Sequence, residues 1–173
     1  MYETDFWQLI DDSRAAADGD PDEQADALVE RLTQLTPDDV IDFARLFEAR
    51  FQRAYRTELW GAAHLLLDGA SEDTFDFFRC WLIGQGREVF EGGLHHPDDL
   101  ADLLSDFDEE EDGEAEDLGY AADEAHEQLT GLPLPELDVR QPAAPEGDPI
   151  DFDDPAVMAE HYPKLWERYG RAV

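Results

Sequence analysis

The residue types that could do chemistry are concentrated between positions 60 and 90. This stretch holds two of the four tryptophans, four phenylalanines and the only cysteine. The side chains in it that could form a polar, aromatic-lined site are Trp60, His64, Asp73, Arg79, Trp81, Gln85 and Arg87. A buried charge is costly unless it is paired, so a guanidinium in so apolar a stretch needs a carboxylate close by.

The arginines of this stretch allow two interpretations. If Arg79 and Arg87 face one pocket beside Trp60 and Trp81, they can bind a carboxylate or a phosphate through paired hydrogen bonds. Alternatively, Arg79 pairs with Asp76, three residues earlier on one predicted helix, in a surface contact that stabilises little. The second, structural interpretation is favoured. No reaction and no catalytic residue is identified.

The other candidates have simpler structural roles. His64 lies on an apolar helix, where a histidine is more often a satisfied core residue than a base, and Cys80 is expected to be a buried thiol. The side chains of His95 and His96 diverge because they are adjacent, and the acidic run after Asp106 lacks the spacing of a calcium loop. The chain has no P-loop, dinucleotide fingerprint, nucleophile elbow or zinc-helix motif. We therefore expect no metal site and no cofactor.

The charge is extreme, at −33 with a sequence pI near 4.1. Nucleic acids and anionic membranes need clustered Lys and Arg, so they are not expected as partners. A basic protein or peptide would be favoured instead. Compositional bias is nevertheless the favoured explanation of the acidity, because eleven arginines accompany a single lysine, and an acidic surface also serves solubility.

Helical periodicity and start signals recur along the chain. Helices are predicted over 3–17, from Pro21, from Pro37, over 60–67, from Glu72, over 87–94 and over 118–129. Asp20, Thr36 and Ser71 are predicted N-caps, and proline follows two of them at the first helical position. No stretch of the first hundred residues alternates as a strand would. The fold class is therefore predicted to be all-α.

Three segments define the predicted organisation. Residues 1–131 form a helical domain with an acidic loop at about 106–117. Residues 132–154, rich in proline and acid, form an extended tether. Residues 155–171 form a C-terminal helix that docks on the domain, with Asp154 as its N-cap. The expectation is a compact single-domain bundle of about six to eight helices. Its oligomeric state is not predicted.

The strings WGAAHLL and DGASEDTFDFFRCWLIGQGREVFE resemble the signature of the bacterial family catalogued as domain of unknown function 4240. The FWQLID start and the Asp-Asp-Leu after HHP resemble that family's flanks, so the resemblance covers roughly the first 130 residues. His64 stands where an aromatic residue such as tyrosine is more usual, and Ala70-Ser71 where Cys-Ser often appears. The resemblance implies a compact helical domain and brings no established activity or cofactor.

Two functional hypotheses follow. The first is a binding or regulatory module that engages a basic protein or peptide through an aromatic-lined groove. The second is a small-molecule-binding protein or enzyme that uses Asp73, Arg79, Gln85 and Arg87 in a tryptophan-lined pocket. The acidic start of the chain has no basic flank, and no window is apolar enough to span a membrane. The protein is therefore expected to be cytoplasmic.

Overall fold

The computed structural model describes residues 1–170, which form helices and loops with one isolated β-bridge. Its α-helices are α1 (Glu3–Ala16), α2 (Pro21–Leu32), α3 (Pro37–Arg53), α4 (Thr57–Leu66), α5 (Glu72–Gly84), α6 (Arg87–His95), α7 (Leu100–Leu103), α8 (Glu116–Gly119), α9 (Ala121–Thr130), α10 (Pro155–His161) and α11 (Pro163–Tyr169). A 3₁₀ turn at Pro97–Asp99 precedes α7. The all-α prediction is confirmed.

The described residues contain eleven α-helices rather than the six to eight predicted. Two of the additional helices, α7 and α8, are each a single turn of four residues. A single turn is too short to show an apolar period in the sequence. The third additional helix arises because the single C-terminal helix predicted over 155–171 is divided at Tyr162, where α10 ends and α11 begins.

The predicted N-caps are confirmed. The Asp20 carboxylate accepts hydrogen bonds from two backbone N–H groups of the first turn of α2, and Asp154 does the same for α10. Thr36 accepts from Asp39 N–H, and Ser71 accepts from Thr74 N–H. These side chains satisfy donors that have no partner within the helix, which is why the helices begin at these residues.

Helix α5 lies at the centre of the fold and packs against α1, α3, α4, α6 and α8. Its residues Phe75, Phe78, Leu82 and Ile83 have no solvent exposure. The other large side chains that are fully buried come from the surrounding helices and include Phe6, Ile10, Leu28, Leu32, Phe43, Leu59, Leu66 and Phe90. The stretch predicted to contain the site therefore also carries the centre of the core.

The segment 132–154 has no helix and lies along the body of the protein. Glu146 forms an isolated parallel bridge with Arg56, in which Thr57 N–H donates to Glu146 O and Glu146 N–H donates to Tyr55 O, each at 2.9 Å. Its half-buried apolar side chains pack against the core, and they are Leu134, Leu137, Ile150 and Phe152.

The C-terminal helices α10 and α11 pack on the body, with α11 against α4, α7 and the 3₁₀ turn. The Tyr162 hydroxyl donates to Glu58 O at 2.6 Å, and Lys164 Nζ lies 3.0 Å from Asp99 and 2.8 Å from Asp102. Residue 171, the last of the predicted C-terminal helix, lies outside the described residues. Among residues 1–170, no helix combines the length and the apolar character needed to cross a membrane.

Candidate functional site

Helix α5 carries Arg79 into the interior, where 3% of the residue is exposed. Nη1 donates to Phe51 O at 2.9 Å, and Nη2 pairs with Asp76 one turn earlier on α5. The guanidinium carbon lies 3.9 Å from the ring centroid of Phe51, 4.7 Å from that of Tyr55 and 5.0 Å from that of Phe75. Three aromatic rings and one carboxylate thus enclose the guanidinium.

The pairing of Asp76 with Arg79 is present, but it is not the surface contact that the sequence suggests. The arginine side chain is 4% exposed and the aspartate side chain 40%, so the pair extends from the core to the surface. The desolvation cost of the buried guanidinium is offset by the carboxylate, the carbonyl oxygen and the ring faces. Arg79 Nε, also buried, has no hydrogen-bond partner within residues 1–170.

Arg87 and Asp73 lie at the surface. The Arg87 side chain is 57% exposed and its nearest ion-pair partner, Glu3 of α1, is 3.8 Å away. Asp73 is exposed in the first turn of α5, where a negative charge is favourable beside the helix N-terminus. Arg87 thus pairs with α1 at the surface, whereas Arg79 binds α3 in the core. The two guanidiniums occupy different environments.

Trp60 and His64 lie one turn apart on α4 and both contact Phe152 of the segment 132–154. Trp60 Nε1 donates to Ala70 O at 2.8 Å, and Ala70 N–H donates to His64 Nδ1 at 3.3 Å. The Trp60 ring also stacks on Phe75, with centroids 4.9 Å apart and planes 12° apart. These two side chains hold the loop between α4 and α5.

Trp81 and Gln85 border a separate groove of about 250 Å³, beside Arg14 and Phe107. The Trp81 and Phe107 rings meet edge to face at 5.5 Å, which attaches the acidic loop to α5. Gln85 Nε2 donates to Trp81 O at 3.4 Å. The sequence-predicted residues therefore lie in several environments rather than around one concavity.

A cavity of about 210 Å³ lies where α3, α5 and α8 meet, and we call it the α3–α5–α8 cavity. It is lined by Phe47, Glu48 and Phe51 of α3, by Asp76, Phe77 and Cys80 of α5, and by Glu116, Gly119 and Tyr120 at α8. Four aromatic rings and three carboxylate side chains therefore meet in one concavity.

The wall between α5 and α8 depends on a close backbone approach. Ala115 N–H donates to Phe77 O at 3.2 Å, which ties the start of α8 to α5. A Cβ atom on Gly119 would lie 2.9 Å from Cys80 Sγ, closer than side chains normally approach. Glycine at this position therefore lets α8 approach α5 closely beside the cavity.

Negative charge dominates the α3–α5–α8 cavity. Asp76 is paired with Arg79, Glu48 accepts from Gln52 Nε2 at 2.7 Å, and Glu116 has no hydrogen bond or ion pair of its side chain within residues 1–170. Burial, opposed by Arg79 and reinforced by the three carboxylates, raises the pKa of the Cys80 thiol to about 12. One guanidinium against three carboxylates leaves a net charge of about minus two.

Sequence reasoning missed most residues of this cavity. Phe77 begins a second apolar stripe on α5, beside the one that faces the core. That stripe was the available signal, because Phe77, Cys80 and Asp76 share a face at helical spacing. The contributions of α3 and α8 depend on which helices pack together, and periodicity does not determine this.

No group of three or more His, Cys, Asp or Glu side chains within the described part of the chain is placed to hold a metal ion. The family model described as "Protein of unknown function (DUF4240)" matches residues 1–128. Neither a curated protein nor a solved structure matches the chain.

Proposed function

This chain belongs to the DUF4240 family of proteins of unknown function, and we propose that it is a binding module for a basic protein or peptide segment. The supporting observation is the excess of negative over positive charge. Acidic residues number 45 and basic residues 12, so acid is in large excess. An excess of one sign at the surface raises the local concentration of partners of the opposite sign and speeds their association.

Several basic residues are paired with carboxylates inside the fold, so they do not offset the acidic surplus elsewhere on the surface. Arg50 pairs with Glu3 at 2.8 Å, and Arg53 binds both oxygens of Glu91 at 2.7 and 2.9 Å. Arg79 is buried beside Asp76, while Lys164 lies between two aspartates. The charges of these four basic residues are therefore already compensated by neighbouring carboxylates.

The positions of the predicted site residues also test the second hypothesis, a small-molecule-binding site. That hypothesis needs Asp73, Arg79, Gln85 and Arg87 around one ligand. Here Arg79 is enclosed by rings and Arg87 is exposed beside α1. The cavities lined by His64 and by Trp81, at about 190 and 250 Å³, are smaller than the roughly 300–1,000 Å³ typical of drug-sized ligands. These four residues therefore do not support the small-molecule alternative, and we do not propose it.

The binding of short labelled peptides tests the proposal. A basic, a neutral and an acidic peptide of equal length are titrated with the protein, and fluorescence anisotropy is followed from about 50 mM to about 500 mM salt. We expect saturable, one-to-one binding of the basic peptide alone, weakening as the Debye length shortens. A non-specific polyanion would also attract the basic peptide at low salt, so stoichiometry and location must be measured as well.

Amide chemical shifts of the ¹⁵N-labelled protein give the location. A specific module shows shifts confined to one contiguous surface, with saturation. Small shifts spread over all acidic helices without saturation, or no binding near physiological salt, would contradict the proposed function.

A further inference from the structure

The α3–α5–α8 cavity combines two features that bind organic cations. The faces of aromatic rings attract cations through their quadrupole, and the cavity has Phe47, Phe51, Phe77 and Tyr120 in its lining. Carboxylates add charge-assisted hydrogen bonds, and Glu48, Asp76 and Glu116 supply them. Tyr120 is 57% exposed, so this part of the lining is accessible from solvent.

The negative charge of the α3–α5–α8 cavity is not fully compensated by cations of the protein. Arg79 compensates one of the carboxylates, through Asp76. Glu48 is bonded only to the neutral amide of Gln52, and the Glu116 carboxylate has no ion pair among the described residues. A positively charged occupant would therefore find two uncompensated carboxylates.

The fold already binds a guanidinium with this chemistry a short distance away. Arg79 lies over the rings of Phe51, Tyr55 and Phe75 and pairs with a carboxylate. Phe51 and Asp76 belong both to that internal arrangement and to the lining of the cavity. The cavity is therefore lined by the same kinds of group, aromatic rings and carboxylates, that enclose Arg79 in the core.

The volume of the cavity and the geometry of the cationic group indicate which ligand fits. A cavity of about 210 Å³ is below the size of typical small-molecule sites, but it suits a single side chain. A guanidinium is planar, stacks on rings and pairs with two carboxylate oxygens at once, whereas an ammonium is a compact and strongly hydrated charge. We infer that the α3–α5–α8 cavity binds an arginine side chain of the basic partner, an assignment that rests on the function proposed above.

A host peptide with one guest position tests this assignment. The host carries lysines for general electrostatic attraction, and the guest is arginine, citrulline, lysine or leucine. Citrulline has the shape of arginine without its charge. We expect arginine to bind at least about 10-fold more tightly than citrulline, with lysine between them. The arginine peptide should shift the amides of Phe77 and Tyr120 most.

Matched variants of the protein distinguish binding in the cavity from general electrostatic attraction to the acidic surface. Glu116→Gln and Tyr120→Ala change exposed side chains of the cavity, so both proteins should fold. Glu160→Gln removes the same single charge from an exposed position on α10 and is the control. The preference for arginine over citrulline should fall about 5- to 10-fold in the two cavity variants and stay unchanged in the control.

The outcomes distinguish the two proposals. If no host peptide binds, the proposed function fails and the cavity assignment fails with it. If the hosts bind in a salt-dependent manner but arginine and citrulline are equivalent, the cavity assignment fails alone. Equal effects of Glu116→Gln and Glu160→Gln would likewise overturn the assignment while leaving the binding module in place.

Discussion

Arg79 binds Phe51 twice, through a hydrogen bond from Nη1 to its carbonyl oxygen at 2.9 Å and through its ring, whose centroid lies 3.9 Å from the guanidinium. The carbonyl lies in the last turn of α3, where such groups have no partner within the helix. Its neighbours Arg50 O and Gln52 O accept from Ala54 and Tyr55 N–H. Arg79, from the centre of α5, thus supplies the hydrogen-bond donor that this carbonyl at the end of α3 needs.

Replacing Arg79 by alanine should destabilise the protein strongly. The change removes a buried hydrogen bond, an ion pair and the packing of three rings. We expect a loss of about 3–5 kcal/mol in the free energy of unfolding. Urea unfolding followed by tryptophan fluorescence measures it.

Arg87→Ala is the matched control, because it removes the same side chain from an exposed position. Its effect should stay within about 0.5 kcal/mol. A loss at Arg87 as large as that at Arg79 would contradict the structural distinction between them.

Gly61→Ala should also destabilise the protein, since its Cβ would overlap the ring and hydroxyl of Tyr162. Overpacking of this kind costs about 1–3 kcal/mol. Tyr162→Phe alone loses the hydrogen bond to Glu58 O, worth about 0.5–1.5 kcal/mol. Gly61→Ala should destabilise the Tyr162→Phe protein less than it destabilises the parent, because the hydroxyl is absent. The double mutant should therefore be more stable than the sum of the two single effects predicts. Additive effects in urea unfolding would show that the two residues do not contact each other.

The Cys80 thiol should make stability depend on pH in the alkaline range. Burial raises its pKa from 9.0 to about 12, so the folded protein keeps a proton that the unfolded chain releases. This contribution is fully present below pH 9 and is lost as pH rises towards 12. The loss should reach up to about 1.4 kcal/mol per pH unit.

Cys80→Ala isolates this effect. Between pH 9 and 10, below the range in which Tyr162 ionises, the variant should show a flatter dependence of unfolding free energy on pH than the parent protein. Parallel curves for the two proteins would mean that the thiol does not titrate differently on folding.

Phe152→Ala should loosen the segment 132–154 while leaving the body intact. The segment is held by two backbone hydrogen bonds at Glu146 and by a few half-buried side chains, among which Phe152 covers Trp60 and His64. We expect faster hydrogen exchange at the Thr57 and Glu146 amides, measured by mass spectrometry. Leu132→Ala, at a side chain 63% exposed, should leave exchange unchanged. Equal protection in both variants would show that Phe152 does not anchor the segment.

Local features of the fold were predictable from the sequence. Each N-cap at Asp20, Thr36, Ser71 and Asp154 depends on a side chain and a backbone group two or three residues away, so a short window contains the whole interaction. Apolar periodicity likewise located the long helices. One-turn helices such as α8 were missed because four residues carry too little pattern.

The site depends on longer-range packing. Arg79 binds Phe51 across 28 residues of sequence, and periodicity does not state which helix covers which face. The same spacing that suggests a surface pair with Asp76 also fits a buried guanidinium, since the difference lies in the rings supplied by α3. The α3–α5–α8 cavity was beyond prediction for the same reason, because its lining comes from three separate segments.

The scarcity of cations makes the protein's tolerance of substitution depend on the sign of the charge. Arg50 joins α3 to α1, Arg53 joins α3 to α6, and Lys164 joins α11 to the 3₁₀ turn and α7. With 12 basic residues against 45 acidic ones, a lost cationic link has few substitutes, whereas most lost carboxylates leave others nearby. Random mutagenesis should therefore deplete changes at Arg50, whose side chain is 12% exposed, before it depletes changes at exposed carboxylates that cap no helix, whereas the exposed pairs of Arg53 and Lys164 should each contribute at most about 1 kcal/mol.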